Sequence, residues 1–194
     1  TGAGISTASG IPDYRDADGV RRGRAPIQGP EFRTLLEVRQ RYWARSMIGW
    51  PVMRNARPNP GHEALARLQA HGLIGPIITQ NVDGLHQRAG SAGVLELHGS
   101  IHAVVCLACG ERQARADVQQ QLETLNPQSA GASAQAAPDG DAHLEPDSLA
   151  GFQVPDCPHC GGMLQPDVVF FGDSVPGERT SAARERVESA SALL

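Results

Sequence analysis

The sequence predicts an α/β layered fold with a parallel sheet, and three observations lead to that prediction. Segments with helical spacing of apolar residues alternate with short apolar runs along the chain. The runs end in polar or glycine-containing loops, as the strands of a buried sheet do. All four cysteines fall into two C-x-x-C pairs, which adds a small metal-binding module to the sheet.

The helices are predicted from apolar spacing and from capping residues. Within 26–47, Pro30 suits a first helical position and the later apolar residues fall near helical spacing, so an amphipathic helix is expected. A second helix has Asn59 as its N-cap, Pro60 at its first position and Gly72 just past its end.

The strands are predicted from short apolar or alternating runs. They cover 73–79, 94–98, the residues directly after 98, and 166–172, and a last helix follows over 178–194. Residues 126–149 interrupt this pattern, because they consist mainly of Ala, Ser, Gly, Pro, Asp and Gln. So long a stretch without a core pattern is expected to be an exposed, flexible insertion.

The bulk composition fits a globular enzyme. Of the 194 residues, 40% are hydrophobic and 20% charged, enough for one generous domain or a domain with a small satellite. The net charge of -4 gives no support to a nucleic-acid binder, which needs a basic stripe. No apolar run approaches the ~18 residues of a membrane span. We therefore expect neither nucleic acid nor membrane as a partner, and composition leaves the oligomeric state unknown.

The two cysteine pairs, Cys106 with Cys109 and Cys157 with Cys160, predict a structural zinc site. Two residues between thiolates let each pair wrap one ion, and two pairs complete a tetrahedral site of four sulfurs. Two redox dithiols or two disulfides are the alternatives, but a redox motif would be expected beside a βαβ unit and not twice. Four protein ligands close the site, so the metal should hold structure. Chelated thiols also fit a reducing compartment.

Polar residues follow two predicted strands, where open α/β sheets bind their ligands. Gln80–Asp83 come directly after one strand, and His98 ends the next. Asn81 and Asp83 offer an amide and a carboxylate to a hydroxylated or carboxamide ligand, and an imidazole can act as a general base near neutral pH. Taken singly, the first group could be a turn and the histidine a strand end bonded to backbone, so both interpretations stay open.

The opening stretch, TGAGISTASGIPDYR, has the small residues of a nucleotide-cradling turn. Gly2, Gly4 and Gly10 punctuate it, but the third comes too late for the dinucleotide-binding G-x-G-x-x-G. Its supporting strand would have to lie before Thr1. From these residues alone, the stretch is either a cofactor loop or a Gly/Ser-rich tail.

Six segments together resemble the sirtuins, the NAD-dependent protein deacylases. They are GAGISTASGIPDYR, TQNVDGLH, LHGS, the two C-x-x-C pairs and PDVVFFGD, and the likeness runs from residue 2 to about residue 176. Details such as PDYR, RQRYWAR and NPGH look most like the class II branch, which includes mitochondrial sirtuin-4-type enzymes and bacterial relatives.

The resemblance implies a Rossmann-like parallel sheet, incomplete in this chain, with a small zinc-binding module. The NAD-binding part with its cofactor loop and helical insertion would cover 1–98, and the zinc module 99–165 with the flexible insertion at 126–149. Residues 166–194 would return to the Rossmann domain. The family's first strand would precede the first residue, and the residues that bind the adenosine half of NAD would follow the last. The implied location is cytoplasmic in a bacterium, or alternatively the mitochondrial matrix.

The resemblance also implies functional residues. Those for NAD are Gly2, Ala3, Gly4, Ser6, Pro12, Asp13, Tyr14, Arg15, Gln80, Asn81, Val82 and Asp83. The backbone of Val169, Phe170, Phe171 and Gly172 would pair with the acyl-lysine peptide, and Cys106, Cys109, Cys157 and Cys160 would hold Zn²⁺. Val82 and Asp83 would bind the carboxamide, and Asn81 would help to position the ribose. Tyr14 stands where the family more often has phenylalanine and would shield the sugar carbon from water.

The implied reaction moves an acyl group from a protein lysine to ADP-ribose and releases nicotinamide. His98 would be the general base that acts on a ribose hydroxyl. Two other functions remain open at this point: a mono-ADP-ribosyltransferase that uses the same pocket, and a zinc-knuckle binding module without catalysis.

The spacing of Tyr42 and Arg45 gives a hypothesis on the acyl group. On a helix both side chains project from neighbouring positions of one face. The same Y-x-x-R spacing in desuccinylase-type sirtuins places a phenol and a guanidinium at the acyl tunnel, where they grip a terminal carboxylate. The alternative is structural: Tyr42 packs in the core, and Arg45 is one of several surface arginines.

Overall fold

The structure is a computed structural model that describes residues 1–14, 18–20, 25–129, 136–137, 141–142 and 151–194. The chain starts with a 3-10 helix, Ala3–Ser9. Strands β1 (Ile78–Thr79) and β2 (Leu95–Glu96) then form the predicted parallel pair. The backbone of Thr1 bonds both Ile78 and Gln80, which places the 3-10 helix beside β1. The opening stretch and the two polar strand ends therefore meet at one place.

Six helices are formed by the described residues. They are α1 (Gly29–Thr34), α2 (Leu36–Asn55), α3 (Pro60–Ala70), α4 (Leu85–Arg88), α5 (Arg115–Leu125) and α6 (Gly177–Glu188). The predicted caps of α3 are confirmed, since Asn59 accepts hydrogen bonds from the backbone of Gly61 and His62. Gly72 follows the helix with a left-handed φ of 68°. Within the described part of the chain, no helix is long and apolar enough to cross a bilayer.

The predicted amphipathic helix over 26–47 differs from the observed structure in two ways. It is split in two, because Leu35 has extended backbone dihedrals (φ -111°, ψ 118°). The second half, α2, also continues to Asn55. Its residues 43–47 are all buried, so α2 is not amphipathic there but runs through the interior. Along it, Trp43 belongs to one hydrophobic cluster and Trp50 to the other.

A second sheet is antiparallel and carries the cysteines. Strand β3 (Gly99–Cys106) is the central strand of this sheet, and β4 (Arg112–Ala114) and β7 (Leu164–Val168) flank it. Between β4 and β7 in the chain, β5 (Ala136–Ala137) and β6 (Asp141–Ala142) form a separate short hairpin.

Two predicted strands are shorter or shifted. The strand predicted over 73–79 is confined to β1, and the one predicted over 166–172 is β7, which starts and ends earlier. The register between β3 and β7 shifts between Pro166 and Val168, inside β7. After β7, the N–H of Val169 donates to the carbonyl of His98, and the carbonyl of Phe171 accepts from the N–H of Gly29. The residues after β7 therefore bridge two elements instead of extending one strand.

The segment predicted as a flexible insertion starts with a buried anchor. Asn126 is fully buried, and its amide group bonds the backbone of Leu122 and Gln153 on the two sides of the segment. The β5–β6 hairpin lies next to α2. Residues 130–135, 138–140 and 143–150 lie outside the described residues, so the predicted flexibility of the segment stays a prediction. The division of the chain into 1–98, 99–165 and 166–194 also stays a prediction.

Helix α5, which the sequence patterns did not reveal, docks on α2 through a buried guanidinium. Arg115 has no exposed surface and donates hydrogen bonds to Gln119 (2.9 Å) and Ser46 (3.0 Å). Its guanidinium carbon lies 5.5 Å from the ring of Trp43 and 4.9 Å from that of Trp50. Burial lowers the pKa of Arg115 to about 10, which leaves it charged at neutral pH. Cation–π contacts and hydrogen bonds thus replace a carboxylate partner.

Two histidines without a predicted role are buried against each other. The rings of His62 and His86 lie 4.9 Å apart, and both side chains are at most 1% exposed. Burial, and then the neighbouring His62, lowers the pKa of His86 to about 4. Burial also lowers the pKa of His62. Both rings are therefore neutral in the folded protein at pH 7.

This pair predicts acid sensitivity of the fold. The folded-state pKa of His86 is below the unfolded value near 6.5, so the unfolded chain binds a proton more readily than the folded protein does. The stability that neutral His86 contributes is therefore fully present above pH 6.5 and is lost as the pH falls towards 4. The shift corresponds to about 3 kcal/mol in the free energy of unfolding. Urea unfolding at pH 7.5 and 4.5 should show a smaller acid loss in His86→Gln than in wild type. The control is the same substitution at the exposed His71, which should leave the acid-induced loss of stability as large as in wild type. A loss of stability in His86→Gln equal to that of wild type would contradict the prediction.

Candidate active site and metal centre

One cavity of about 550 Å³ lies where the 3-10 helix, the end of β1 and the end of β7 meet. The predicted residues that line it are Ala3, Ser6, Pro12, Tyr14, Tyr42, Gln80, Asn81, Val82, Asp83, His98, Val169, Phe170, Phe171 and Gly172. Gly2, Gly4, Asp13 and Arg45 are not among the lining residues, and Arg15 lies outside the described residues. The cavity thus brings together segments that are far apart in the sequence.

Sequence reasoning missed part of the wall. The further lining residues are Ile11, Pro26, Ile27, Met53, Ile101, Val168, Asp173 and Val175. Most are apolar, and single apolar residues in loops give no periodic signal. Asp173 could have been noticed, since it directly follows the predicted peptide-binding segment.

A hydrogen-bond network orients the polar wall. The hydroxyl of Ser6 donates to Asp83 Oδ2 at 2.6 Å, and Asn81 Nδ2 donates to Ser6 Oγ at 3.1 Å. The other carboxylate oxygen of Asp83 accepts the backbone N–H of Leu85 at 2.9 Å. All three side chains of the network are at least nine-tenths buried. Their rotamers are fixed before any ligand arrives, which reduces the entropy cost of binding.

His98 is held at the cavity by its neighbours' backbone. Leu97 N bonds the carbonyl of Thr79 at 2.9 Å, and the carbonyl of His98 accepts the N–H of Val169, also at 2.9 Å. The imidazole lines the cavity and is only partly buried. His98 therefore lines the same cavity as Ser6 and Asp83, close to the ends of two parallel strands as the sequence predicts.

The glycines of the opening stretch leave room for a ligand. A Cβ built at Gly2 or Gly4 would meet no other atom within 4 Å, so the backbone there faces open space next to the lining residue Ala3. Ser6, Asn81 and Asp83, which carry hydrogen-bonding groups, line the same cavity as Ala3. A ligand that has a carboxamide and hydroxyl groups, as NAD does, fits this set of residues.

The four cysteines form a separate centre. Their sulfur atoms all lie within 4.8 Å of one another, with Cys106 and Cys160 3.5 Å apart and Cys109 and Cys157 3.9 Å apart. Four sulfurs at a zinc–sulfur distance of about 2.3 Å are separated by about 3.8 Å at the corners of a tetrahedron. The geometry therefore fits zinc and shows no disulfide.

Local backbone geometry explains the glycines of this centre. In each knuckle, a glycine N–H bonds the carbonyl of the first cysteine, Gly110 to Cys106 and Gly161 to Cys157. Both glycines have left-handed φ angles, 77° and 72°. A Cβ at Gly162 would come within 2.9 Å of the sulfur of Cys106, so only glycine leaves room for the ligands there.

Comparisons with known proteins agree with this geometry. The Sir2 family model matches residues 2–194. The NAD-dependent protein deacetylase 3 of Pseudomonas syringae pv. tomato is 55% identical over 195 residues, which cover all of this chain and 69% of that protein. The bovine mitochondrial NAD-dependent protein lipoamidase sirtuin-4 is 47% identical over 197 residues, covering all of this chain and 62% of that protein.

A solved structure described as Sir2 with a p53 peptide and NAD+ has a TM-score of 0.74 and 33% identity. The match covers 98% of this chain and 65% of that one. The chain thus spans about two thirds of the length of these relatives. The predicted Rossmann-like α/β fold is confirmed.

The cavity at the ends of parallel strands, with a closed four-cysteine centre apart from it, defines an α/β enzyme with a structural metal module. The chain belongs to the Sir2 family. Its class is that of the NAD-dependent protein deacylases. The cofactors of this class are NAD and zinc, and the four cysteines fit the zinc site.

Proposed function

We propose that the protein removes acyl groups from protein lysines in an NAD-dependent reaction, with His98 as its general base. The observation that carries the proposal is the cavity itself, in which His98 and the network of Ser6, Asn81 and Asp83 face the same space. The named relatives are deacetylases and a lipoamidase, which favours deacylation over mono-ADP-ribosyl transfer. The partly buried histidine in this cavity also argues against a binding module without catalysis.

When bound, NAD would supply a sugar carbon that takes the acyl oxygen as nicotinamide leaves, and a ribose hydroxyl together with one water would then complete transfer of the acyl group to ADP-ribose and release the free lysine amine. Asp83 and Val82 hold the carboxamide end, and Asn81 orients the ribose. His98 accepts the proton of a ribose hydroxyl, for which it must come within hydrogen-bond reach of that group. Each of these roles is supported by the position of the residue on the cavity wall.

Exclusion of water is the second task of the residues. An amide oxygen is a weak nucleophile, so competing water must be kept from the sugar carbon. Tyr14 and Phe171 are suited to this role, because their rings meet edge to face at 6.0 Å on the cavity wall. The tyrosine thus fills the place where the family commonly has phenylalanine.

The acyl-lysine peptide is proposed to pair with the backbone of Val169–Gly172. Part of that backbone is already engaged, since Val169 N bonds His98 and the carbonyls of Phe170 and Phe171 bond Asp173 and Gly29. The peptide must therefore use the remaining groups of the segment. The partly buried side chain of Val169 and the exposed ring of Phe171 would flank the acyl-lysine.

The test is whether the full-length protein releases nicotinamide only in the presence of an acylated peptide. The matched control is the same peptide with an unmodified lysine. Release that depends on the acyl group supports deacylation. Equal release with both peptides, with label from NAD appearing on protein, would instead support ADP-ribosyl transfer.

For the cellular location we propose the cytoplasm if the source is bacterial, or otherwise the mitochondrial matrix. Four cysteines that form no disulfide and can hold a metal fit a reducing compartment.

The acyl preference remains a prediction on Tyr42 and Arg45. Tyr42 lines the cavity and contacts Phe32 and Phe170 edge to face, whereas Arg45 is 7% exposed and not among the lining residues. If the pair binds a terminal carboxylate, Arg45→Met should lower kcat/KM for a glutaryl-type peptide by an amount that corresponds to about 1.5–3 kcal/mol of lost stabilisation. The kcat/KM for an acetyl peptide should hardly change. Equal losses on both substrates would make Arg45 a structural residue.

A further inference from the structure

The turn that follows β1 is bonded to β3 by two hydrogen bonds. The carbonyl of Val82 accepts the backbone N–H of Ile101 at 3.0 Å. The carbonyl of the next residue, Asp83, lies 2.9 Å from Nε2 of His102. Ile101 and His102 are consecutive residues of β3, the central strand of the antiparallel sheet. The antiparallel sheet thus contacts the cavity wall at the two residues proposed to hold the carboxamide of NAD.

The contact with Asp83 determines which ring nitrogen of His102 carries a proton. A carbonyl oxygen can only accept a hydrogen bond, so Nε2 of His102 must be the donor. The Asp83 carbonyl therefore selects the Nε2–H form of the ring. Sequence patterns predict no role for this histidine, because its partner lies 19 positions away and on a different element.

Packing also restricts the ring of His102. The ring of Trp50, a buried residue of α2, meets it edge to face at a centroid distance of 6.4 Å. A Cβ built at Gly84 would lie 3.4 Å from Cδ2 of His102, so the ring is close to the turn itself. Gly84 has a left-handed φ of 66°, which glycine adopts without strain. The donor therefore belongs to a ring whose position is limited by a strand, a helix and the turn that it bonds.

The acceptor groups of Asp83 are engaged by three different parts of the fold. The 3-10 helix reaches Oδ2 through Ser6, the start of α4 reaches Oδ1 through Leu85, and β3 reaches the carbonyl through His102. The first two contacts orient the carboxylate, whereas His102 orients the backbone. His102 is not among the residues that line the cavity, so its effect on a ligand passes through Asp83.

We propose that His102 is a positioning residue that raises the affinity of the cavity for the nicotinamide end of NAD. The inference rests on the proposed deacylase function and adds to it a residue outside the cavity. Without the donor, the backbone at Val82 and Asp83 has one fixed point fewer, and binding of the carboxamide must then order it. ADP-ribose lacks the carboxamide, so its affinity should not depend on His102.

The experiment compares NAD with ADP-ribose as ligands of the full-length protein in the absence of peptide. The dissociation constants of both are determined by titration calorimetry in wild type, His102→Phe and His102→Gln. Phenylalanine keeps an aromatic ring beside Trp50 but cannot donate a hydrogen bond, whereas glutamine supplies an N–H donor. The matched control is His71→Phe, the same substitution at an exposed histidine. Inhibition of deacylation by nicotinamide and the melting temperature are measured in parallel.

We expect His102→Phe to raise the dissociation constant of NAD about fivefold, which is the size of one neutral hydrogen bond. The inhibition constant of nicotinamide should rise by a similar factor, because nicotinamide carries the same carboxamide. The dissociation constant of ADP-ribose should stay at the wild-type value. His102→Gln should recover part of the loss for NAD, and His71→Phe should match wild type in every measurement.

The proposal is overturned if His102→Phe binds NAD as tightly as wild type does. It is also overturned if NAD and ADP-ribose weaken by the same factor, which would make His102 purely structural, or if His102→Gln binds NAD no better than His102→Phe. Failure of the proposed function would be visible in wild type, as an absence of nicotinamide release that depends on the acylated peptide. Failure of the positioning role would be visible only in the comparison of variants.

Discussion

Replacing His98 with alanine should lower kcat for deacylation by a factor of about 10² to 10⁴, the usual contribution of a positioned general base. The fold should not change, because the contacts that hold this residue in place are made by backbone atoms of His98, Leu97 and Val169. Peptide binding should therefore stay close to wild type. The measurement is single-turnover product formation at saturating NAD and peptide.

Two controls make the His98 result interpretable. His71→Asn changes an exposed histidine outside the cavity and should leave kcat unaltered. Zinc content and melting temperature of His98→Ala should equal those of wild type. A variant that keeps wild-type kcat would remove the histidine from the mechanism and favour a binding role for the cavity.

Loss of one zinc ligand should have the largest effect on folding. In Cys157→Ser, one of four sulfurs that lie within 4.8 Å of one another is removed. Zinc binding to structural sites is worth roughly 10–16 kcal/mol in small peptides, whereas whole domains are stable by about 5–15 kcal/mol. The antiparallel sheet of β3, β4 and β7 joins the two knuckles, so loss of the metal should unfold this module and abolish activity together.

His159→Ala is the matched control for the metal centre. His159 lies between Cys157 and Cys160 but is exposed and is not part of the sulfur cluster. This variant should keep one equivalent of zinc, measured by metal analysis, and a cooperative unfolding transition. Metal-free protein that remains folded and fully active would contradict a structural role for zinc.

Local signals explain which parts of the site could be predicted. The zinc centre follows from two knuckles whose geometry is set within four residues each. The meeting of His98 with Gln80–Asp83 follows from the rule that adjacent parallel strands end at one edge of a sheet. The cap of α3 at Asn59 is likewise a local pattern. In each case the physical cause lies within a few residues or in a general rule of sheet topology.

Long-range pairings could not be predicted in this way. Ser6 and Asp83 are 77 positions apart, and Arg33 and Asp173 are 140 apart. The sequence around either residue of such a pair contains no pattern that indicates its partner. Arg115 shows the same limit, because an arginine at the start of a helix is usually exposed. Its burial is explained by the two tryptophans of α2 and by its hydrogen bonds to Ser46 and Gln119.

The most direct test of the account is the identity of the product. Full-length protein, NAD and an acyl-lysine peptide should give free lysine, nicotinamide and acyl-ADP-ribose in equal amounts, as measured by mass spectrometry over a time course. The expected mass of the nucleotide product is that of ADP-ribose with the acyl group attached. Plain ADP-ribose with the peptide still acylated, or ADP-ribose attached to protein, would contradict the account.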